Sequence, residues 1–145
     1  MRGEIGGGAG QDVGQKLNRN LTEILMEIKK EIKKDSFAVK ITLEEDGKIL
    51  GWAYLYVIFQ DRHKEPYGLM ENVYVEPVYR KRGFGTKLVK LLIEEAKKHN
   101  CYKLIGTSKK IKSEVHTFYK KHGFEEIGLE FRMDLIKDSK VITKD

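Results

Sequence analysis

The sequence predicts an α/β (α+β) protein with a single mixed, mostly antiparallel sheet and helices on both faces. Three observations predict it. Apolar residues alternate with smaller or polar ones over residues 37–43, 69–75 and 127–135, the period of half-buried strands. Asp46-Gly47 is a hairpin signal, so the early strands run antiparallel. The later strand patterns are separated by stretches of helical period, which implies crossover connections on one sheet.

Taken in order, residues 1–16 carry six glycines and almost no apolar pattern, which marks a flexible arm outside the fold. Residues 17–136 form the folded domain. Leu17, Leu21, Ile24, Leu25, Ile28 and Ile32 make one helical stripe, with Asn20 and Glu23 as its start signal. Residues 37–43 are a half-buried strand. Residues 49–59 are apolar on both faces and suit a central strand covered on both sides. Residues 61–68 are polar, with a proline, and form a loop. Residues 69–75 are the next strand, ended by Pro77, which cannot donate to a ladder. Phe84, Leu88, Val89, Leu92, Ile93 and Ala96 have helical spacing. Residues 101–107 are a short strand and 113–122 a short helix stopped by Gly123. Ile127, Leu129, Phe131, Met133 and Leu135 form the last strand. Residues 137–145 are a charged tail.

The organising stretch is residues 71–86, where a strand hands over to a helix through Arg80-Lys81-Arg82-Gly83-Phe84-Gly85-Thr86. A helix start offers unpaired N–H groups and a partial positive charge. Glycines at 83 and 85 let an anion approach that backbone, beside three cations. This is a phosphate cradle. It is no Walker loop, because no Lys-Ser or Lys-Thr pair follows at the required spacing, and it lacks the three-glycine dinucleotide fingerprint.

The cradle resembles the Arg/Gln-x-x-Gly-x-Gly/Ala signature of the GNAT acetyltransferases, met by Arg80, Gly83 and Gly85. A second piece, Val115-His116-Thr117-Phe118-Tyr119 through Gly123-Phe124, resembles the Ala-His-x-Phe-Tyr-x-x-x-Gly-Phe segment of that family. The similarity covers residues 37–135. It implies the GNAT fold, here lacking the first edge strand, and acetyl transfer from acetyl-coenzyme A to a primary amine by direct attack in a ternary complex. Residues 101–103 also resemble glucosamine-phosphate acetyltransferases, but Thr107 stands where those carry an aspartate that polarises the amine.

The resemblance assigns residues to tasks. Arg80, Lys81, Arg82, Gly83, Phe84, Gly85 and Thr86 would hold the pyrophosphate. The strand at Val73 and Val75 would pair with the pantetheine arm, and a backbone N–H near Val73 would face the thioester oxygen. Phe118 is expected against the cofactor, with Lys112 screening its phosphates. Glu71 is the candidate base, since a carboxylate on an otherwise apolar strand face should have a raised pKa. Tyr119 is the candidate acid: a phenol near ~10 can protonate a thiolate whose thiol lies near ~8.5. Glu76 and His116 are weaker alternatives for the base.

Composition bounds the alternatives. The net charge of +6 suits a polyphosphate cofactor as well as nucleic acid. Nucleic acid is disfavoured because no recognition motif accompanies the charge. A non-catalytic acyl-coenzyme-A-binding module would keep the 80–86 loop without needing Glu71 or Tyr119. The lone Cys101 leaves no disulfide framework, the histidines have no metal spacing, and no apolar run reaches membrane-spanning length. A cytoplasmic setting is expected, and dimerisation is common in the family. The acceptor, a small amine or a protein amine, would be chosen by loop 60–68 and the first helix.

Overall fold

Among the described residues four strands form one sheet in the order β1-β2-β3-β4. The computed structural model describes residues 25–142. Residues up to Lys33 and those from Lys34 fall in separate units. In the second unit β1 is Phe37–Glu45, β2 Lys48–Ile58, β3 Tyr67–Val75 and β4 Leu104–Gly106; α1 is Phe84–Lys98 and α2 Ser113–Lys121. β1–β2 and β2–β3 are antiparallel and β3–β4 is parallel. The mixed sheet is the predicted one.

Local chemistry sets the boundaries. Asp46 and Gly47 both have positive φ (52° and 76°), which the tight turn between β1 and β2 requires. Gly83, at φ 88°, precedes α1. Gly123, at φ 96°, follows the C-cap His122 of α2 and stops that helix in the left-handed conformation expected of it.

The core lies between the sheet and α1. Ala53, Leu55 and Val57 from β2 and Met70 from β3 meet Leu88, Val89, Leu92 and Ala96 from α1. Each fully buried leucine or valine contributes about 1.5–3 kcal/mol relative to exposure. Val39, Ile41 and Leu43 extend this layer, and Phe118, Tyr119 and Phe124 close its end. Cys101 packs at its margin, half-buried, as a small apolar residue. The opposite face of β2 differs from expectation. Trp52 and Tyr54 are half-buried and Tyr56 is exposed, so this strand is covered fully on one side only among the described residues.

Two expected elements are corrected. The N-terminal helical stripe lies outside the described residues up to position 24. Where described, at residues 26–34, it is not helical, and Leu25, Ile28 and Ile32 are 82%, 65% and 85% exposed. Residues 127–135 form no strand, although their apolar side chains alternate; they are 70–89% exposed. Alternation names the face a strand would bury, but a strand exists only where a ladder partner satisfies its backbone.

Candidate active site

β3 positions the site. It pairs with β4 only at Gly68, Leu69 and Met70. From Glu71 to Val75 its β4-side edge has no strand partner among the described residues. The register against β2 also slips here: Glu71 faces Tyr54 and Tyr74 faces Trp52, so Asn72 and Val73 together stand opposite Ala53. Asn72 takes φ 53° to accommodate this bulge. Glu71 and Tyr74 therefore share the face of Tyr54 and Trp52, away from α1.

The chain then turns through a short 3-10 segment, Pro77–Tyr79. Arg80 folds back: its Nε donates to the Val75 carbonyl at 2.7 Å and its guanidinium lies 5.3 Å from the Tyr74 ring centre. Arg82 sits 5.9 and 5.4 Å from the Tyr79 and Phe84 rings. The Gly83 carbonyl accepts from the Lys87 N–H, so the amides of the first turn of α1 have no intrahelical acceptor. A side chain on Gly83 would meet nothing within 4 Å, and one on Gly85 only the Phe118 ring at 3.9 Å. Crowding by protein does not demand these glycines. Gly83 answers to its φ, and Gly85 leaves open space beside the start of α1.

A cavity of about 450 Å³ opens here. Of the expected cofactor residues, Val73, Val75, Arg80, Lys81, Phe84, Gly85 and Lys112 line it. Arg82, Gly83, Thr86 and Phe118 adjoin these residues without lining it. Lys112 reaches the cavity as the N-cap of α2, brought there by tertiary structure alone. Tyr74 and Tyr79 also line it and were not foreseen. Alternation places Tyr74 on a strand face, but nothing local says that the face ends in a cavity.

Glu71 follows the last residue of β3 that pairs with β4, and Tyr119 lies beside Gly106 at the end of β4. Glu71 is exposed at the surface of β3; partial desolvation there raises its carboxyl above the usual carboxylate range, and the charge of Glu130 adds to the rise. Tyr119 packs beside Gly106 and against Phe124, on the core side. Burial raises its phenol above the usual value, and the negative charge of Glu71 raises it further. The two groups thus feel each other across the gap where β3 and β4 part. The weaker alternatives are held elsewhere: His116 Nε2 is 2.9 Å from the Lys109 carbonyl, and Glu76 accepts from the Tyr74 hydroxyl at 3.1 Å. Among the described residues no cluster of His, Cys, Asp and Glu could hold a metal, and no helix is long and apolar enough to cross a membrane.

The chain belongs to the acetyltransferase (GNAT) family, which it matches over residues 11–124. Over 90 residues it is 34% identical to a glucosamine 6-phosphate N-acetyltransferase of Trypanosoma brucei brucei, covering 61% of this chain and 59% of that protein. Over 63 residues it is 38% identical to a probable glucosamine 6-phosphate N-acetyltransferase 2 of Oryza sativa subsp. japonica, covering 43% and 36%. The matched stretch is thus less than two thirds of either relative. A solved structure, a putative acetyltransferase from Agrobacterium tumefaciens str. C58, superposes with a TM-score of 0.62 at 31% identity, covering 67% of this chain and 68% of that one. The predicted family and fold agree with these likenesses.

Proposed function

We propose that the chain is an N-acetyltransferase that uses acetyl-coenzyme A and acetylates a primary amine by direct attack in a ternary complex. One observation carries this reading. The glycine-started N-terminus of α1, with Arg80, Lys81 and Lys112, opens on the same cavity as the stretch of β3 that has no strand partner on its β4 side among the described residues. The cradle suits a pyrophosphate and the edge suits an extended amide-bearing arm.

Acetyl-coenzyme A supplies a thioester whose carbonyl carbon accepts the amine. Glu71 takes the amine's proton as the N–C bond forms. A backbone N–H near Val73 donates to the carbonyl oxygen. Tyr119 gives its phenolic proton to the sulfur as the C–S bond breaks. Solvent then removes the proton from Glu71 and returns one to Tyr119, so protons balance. Acid–base assistance of this kind contributes about 10²–10⁴-fold.

The test is calorimetric titration with acetyl-coenzyme A and coenzyme A. Gly85→Glu is the variant of choice. A carboxylate in the first turn suits the helix dipole, so the fold survives, but it repels a phosphate in the cradle. Wild type should bind, with Gly85→Glu weaker by about tenfold or more, the order of one lost charged contact, and Gly85→Ala in between. Absence of binding by wild type sinks the reading. Cofactor binding without turnover on an amine panel would favour the acyl-coenzyme-A-binding module instead.

The acceptor is a small amine or a protein amine; the names of the matched relatives favour an amino sugar. A homodimer is part of the same reading, supported by the exposed apolar residues of 127–135 and by the position of β4 at the sheet edge. So is a cytoplasmic setting, supported by the single cysteine.

A further inference from the structure

The proposed reaction has two sides. Tyr119 stands on the core side of the sheet and Glu71 on the other, so the amine must arrive over the face that carries Glu71. That face has a definite pattern. Lys40 pairs directly with Tyr54, and Tyr54 pairs directly with Glu71. The three side chains form one row across three strands. Lys40 and Glu71 are two strand spacings apart, about 10 Å between backbones.

The surface beside this row is aromatic. The Trp52 and Tyr74 rings lie 4.7 Å apart, and Tyr54 and Tyr56 are stacked with 14° between their planes. The Lys40 ammonium sits 5.2 Å from the Trp52 ring centre and 5.6 Å from that of Tyr54. The rings hold it there; no carboxylate pairs with it among the described residues. The row therefore runs from a candidate base, past the Tyr54 ring, to a cation that rests over the Trp52 and Tyr54 rings.

We infer that Lys40, Tyr54 and Glu71 form the acceptor subsite, and that it selects a compact amine carrying an anion. This rests on the acetyltransferase reading and deepens it. The amino group goes to Glu71, the body of the molecule lies against Tyr54 between the two charges, and the phosphate or carboxylate goes to the Lys40 ammonium where it rests over the Trp52 and Tyr54 rings. Apolar ring faces cover aromatic surface, and a lysine ammonium is a point charge suited to phosphate. The same cation repels a lysine-rich peptide, so the row disfavours a basic protein acceptor. Lys40 is a specificity residue and takes no part in bond making.

Trp52 is the chain's one tryptophan, so indole fluorescence reads this surface whether or not acetyl transfer follows. The full chain is titrated with glucosamine 6-phosphate, glucosamine and 6-aminohexanoate. Glucosamine 6-phosphate should give a saturable change. Its Kd should weaken about tenfold in Lys40→Ala, the order of one lost charged contact, and recover in Lys40→Arg. Glucosamine should bind weakly to wild type and equally weakly to Lys40→Ala. 6-Aminohexanoate then tells carboxylate from phosphate: binding as tight as the phosphorylated sugar supports any small anionic amine, and weaker binding supports phosphate. In turnover, Lys40→Ala should raise the KM of the phosphorylated amine and leave kcat in place.

No saturable change in wild type, or equal Kd for glucosamine 6-phosphate in wild type and a folded Lys40→Ala, overturns the inference. Calorimetry with acetyl-coenzyme A on the same samples keeps the two readings apart. Cofactor binding with silent indole fluorescence removes the acceptor subsite alone. A Lys40-dependent indole change without cofactor binding removes the acetyltransferase reading and leaves an anionic-amine site.

Discussion

Glu71 and Tyr119 owe their proposed roles to where each proton is held. Both groups are raised, Glu71 by partial desolvation and then by Glu130, Tyr119 by burial and then by Glu71. A base works only when ionised, so the acidic limb of kcat/KM should lie above the ordinary glutamate value of about 4.3. Glu130→Gln should move that limb down, and Glu71→Gln should abolish it while lowering the rate by about 10²–10⁴. Removing the Glu71 charge also lets Tyr119 ionise at lower pH, so the alkaline limb of Glu71→Gln should shift downward. Stability runs with the same sign. A carboxyl raised in the folded state favours folding below its unfolded pKa and loses that advantage as pH climbs through the folded value. The Tm of wild type should therefore fall relative to Glu71→Gln across that interval. A pH–rate series with parallel melts checks all of this. Glu71 was legible as a candidate from an acid in an apolar strand, but the bulge puts Val73 and Val75 on the core side and leaves Glu71 on the face of Tyr54. Its coupling to Tyr119 was not, because no spacing in the chain brings positions 71 and 119 to one gap.

At the scale of elements, the hand-over from β3 to α1 is the best-read part of the chain. Its cues are local: a proline that ends a strand, glycines that open a helix, and apolar residues at helical spacing. Gly83 at φ 88° makes a direct prediction. Gly83→Ala should cost about 1–2 kcal/mol through left-handed strain, although a methyl group there meets no neighbour. Leu92→Ala, in the fully buried layer, should cost about 2–5 kcal/mol. Chemical denaturation of the two variants separates backbone strain from cavity formation. The bulge at Asn72 was not legible. It arises from the mismatch of two strands, and β3 alone carries no sign of it beyond an asparagine that tolerates positive φ.

At the scale of the whole molecule, residues 127–135 present an alternating apolar row that is 70–89% exposed, while β4 ends the sheet. Glu126 pairs with Lys120 and Asp134 with Arg132, while Glu125 and Glu130 accompany the row and Lys103, Lys109, Lys110 and Lys112 bracket β4. If a second copy takes up the row, light scattering should give twice the 16.8 kDa chain mass. Phe131→Glu, which puts a charge in the row, should return the monomer. A wild-type monomer with this segment protected from hydrogen exchange would instead show that the row folds onto its own sheet.

The sequence by itself determined the family and the mixed sheet, and it singled out the glycine loop at 80–86, Glu71 and Tyr119 as candidates. These rest on short-range information: turn residues, periodicity and two motifs in order. Only the tertiary structure decided which of these residues share a space. It brought Lys112, Tyr74 and Tyr79 to the cavity wall, left β3 past Met70 without a strand partner on its β4 side among the described residues, and aligned Lys40, Tyr54 and Glu71 in one row. It also left the row at 127–135 and the described part of the N-terminal stripe without the regular structure their periods suggest. The physical reason is the same in each case. A period states which side of a segment is apolar, but helix, strand and site all depend on what lies against that side, and the partner is chosen through space.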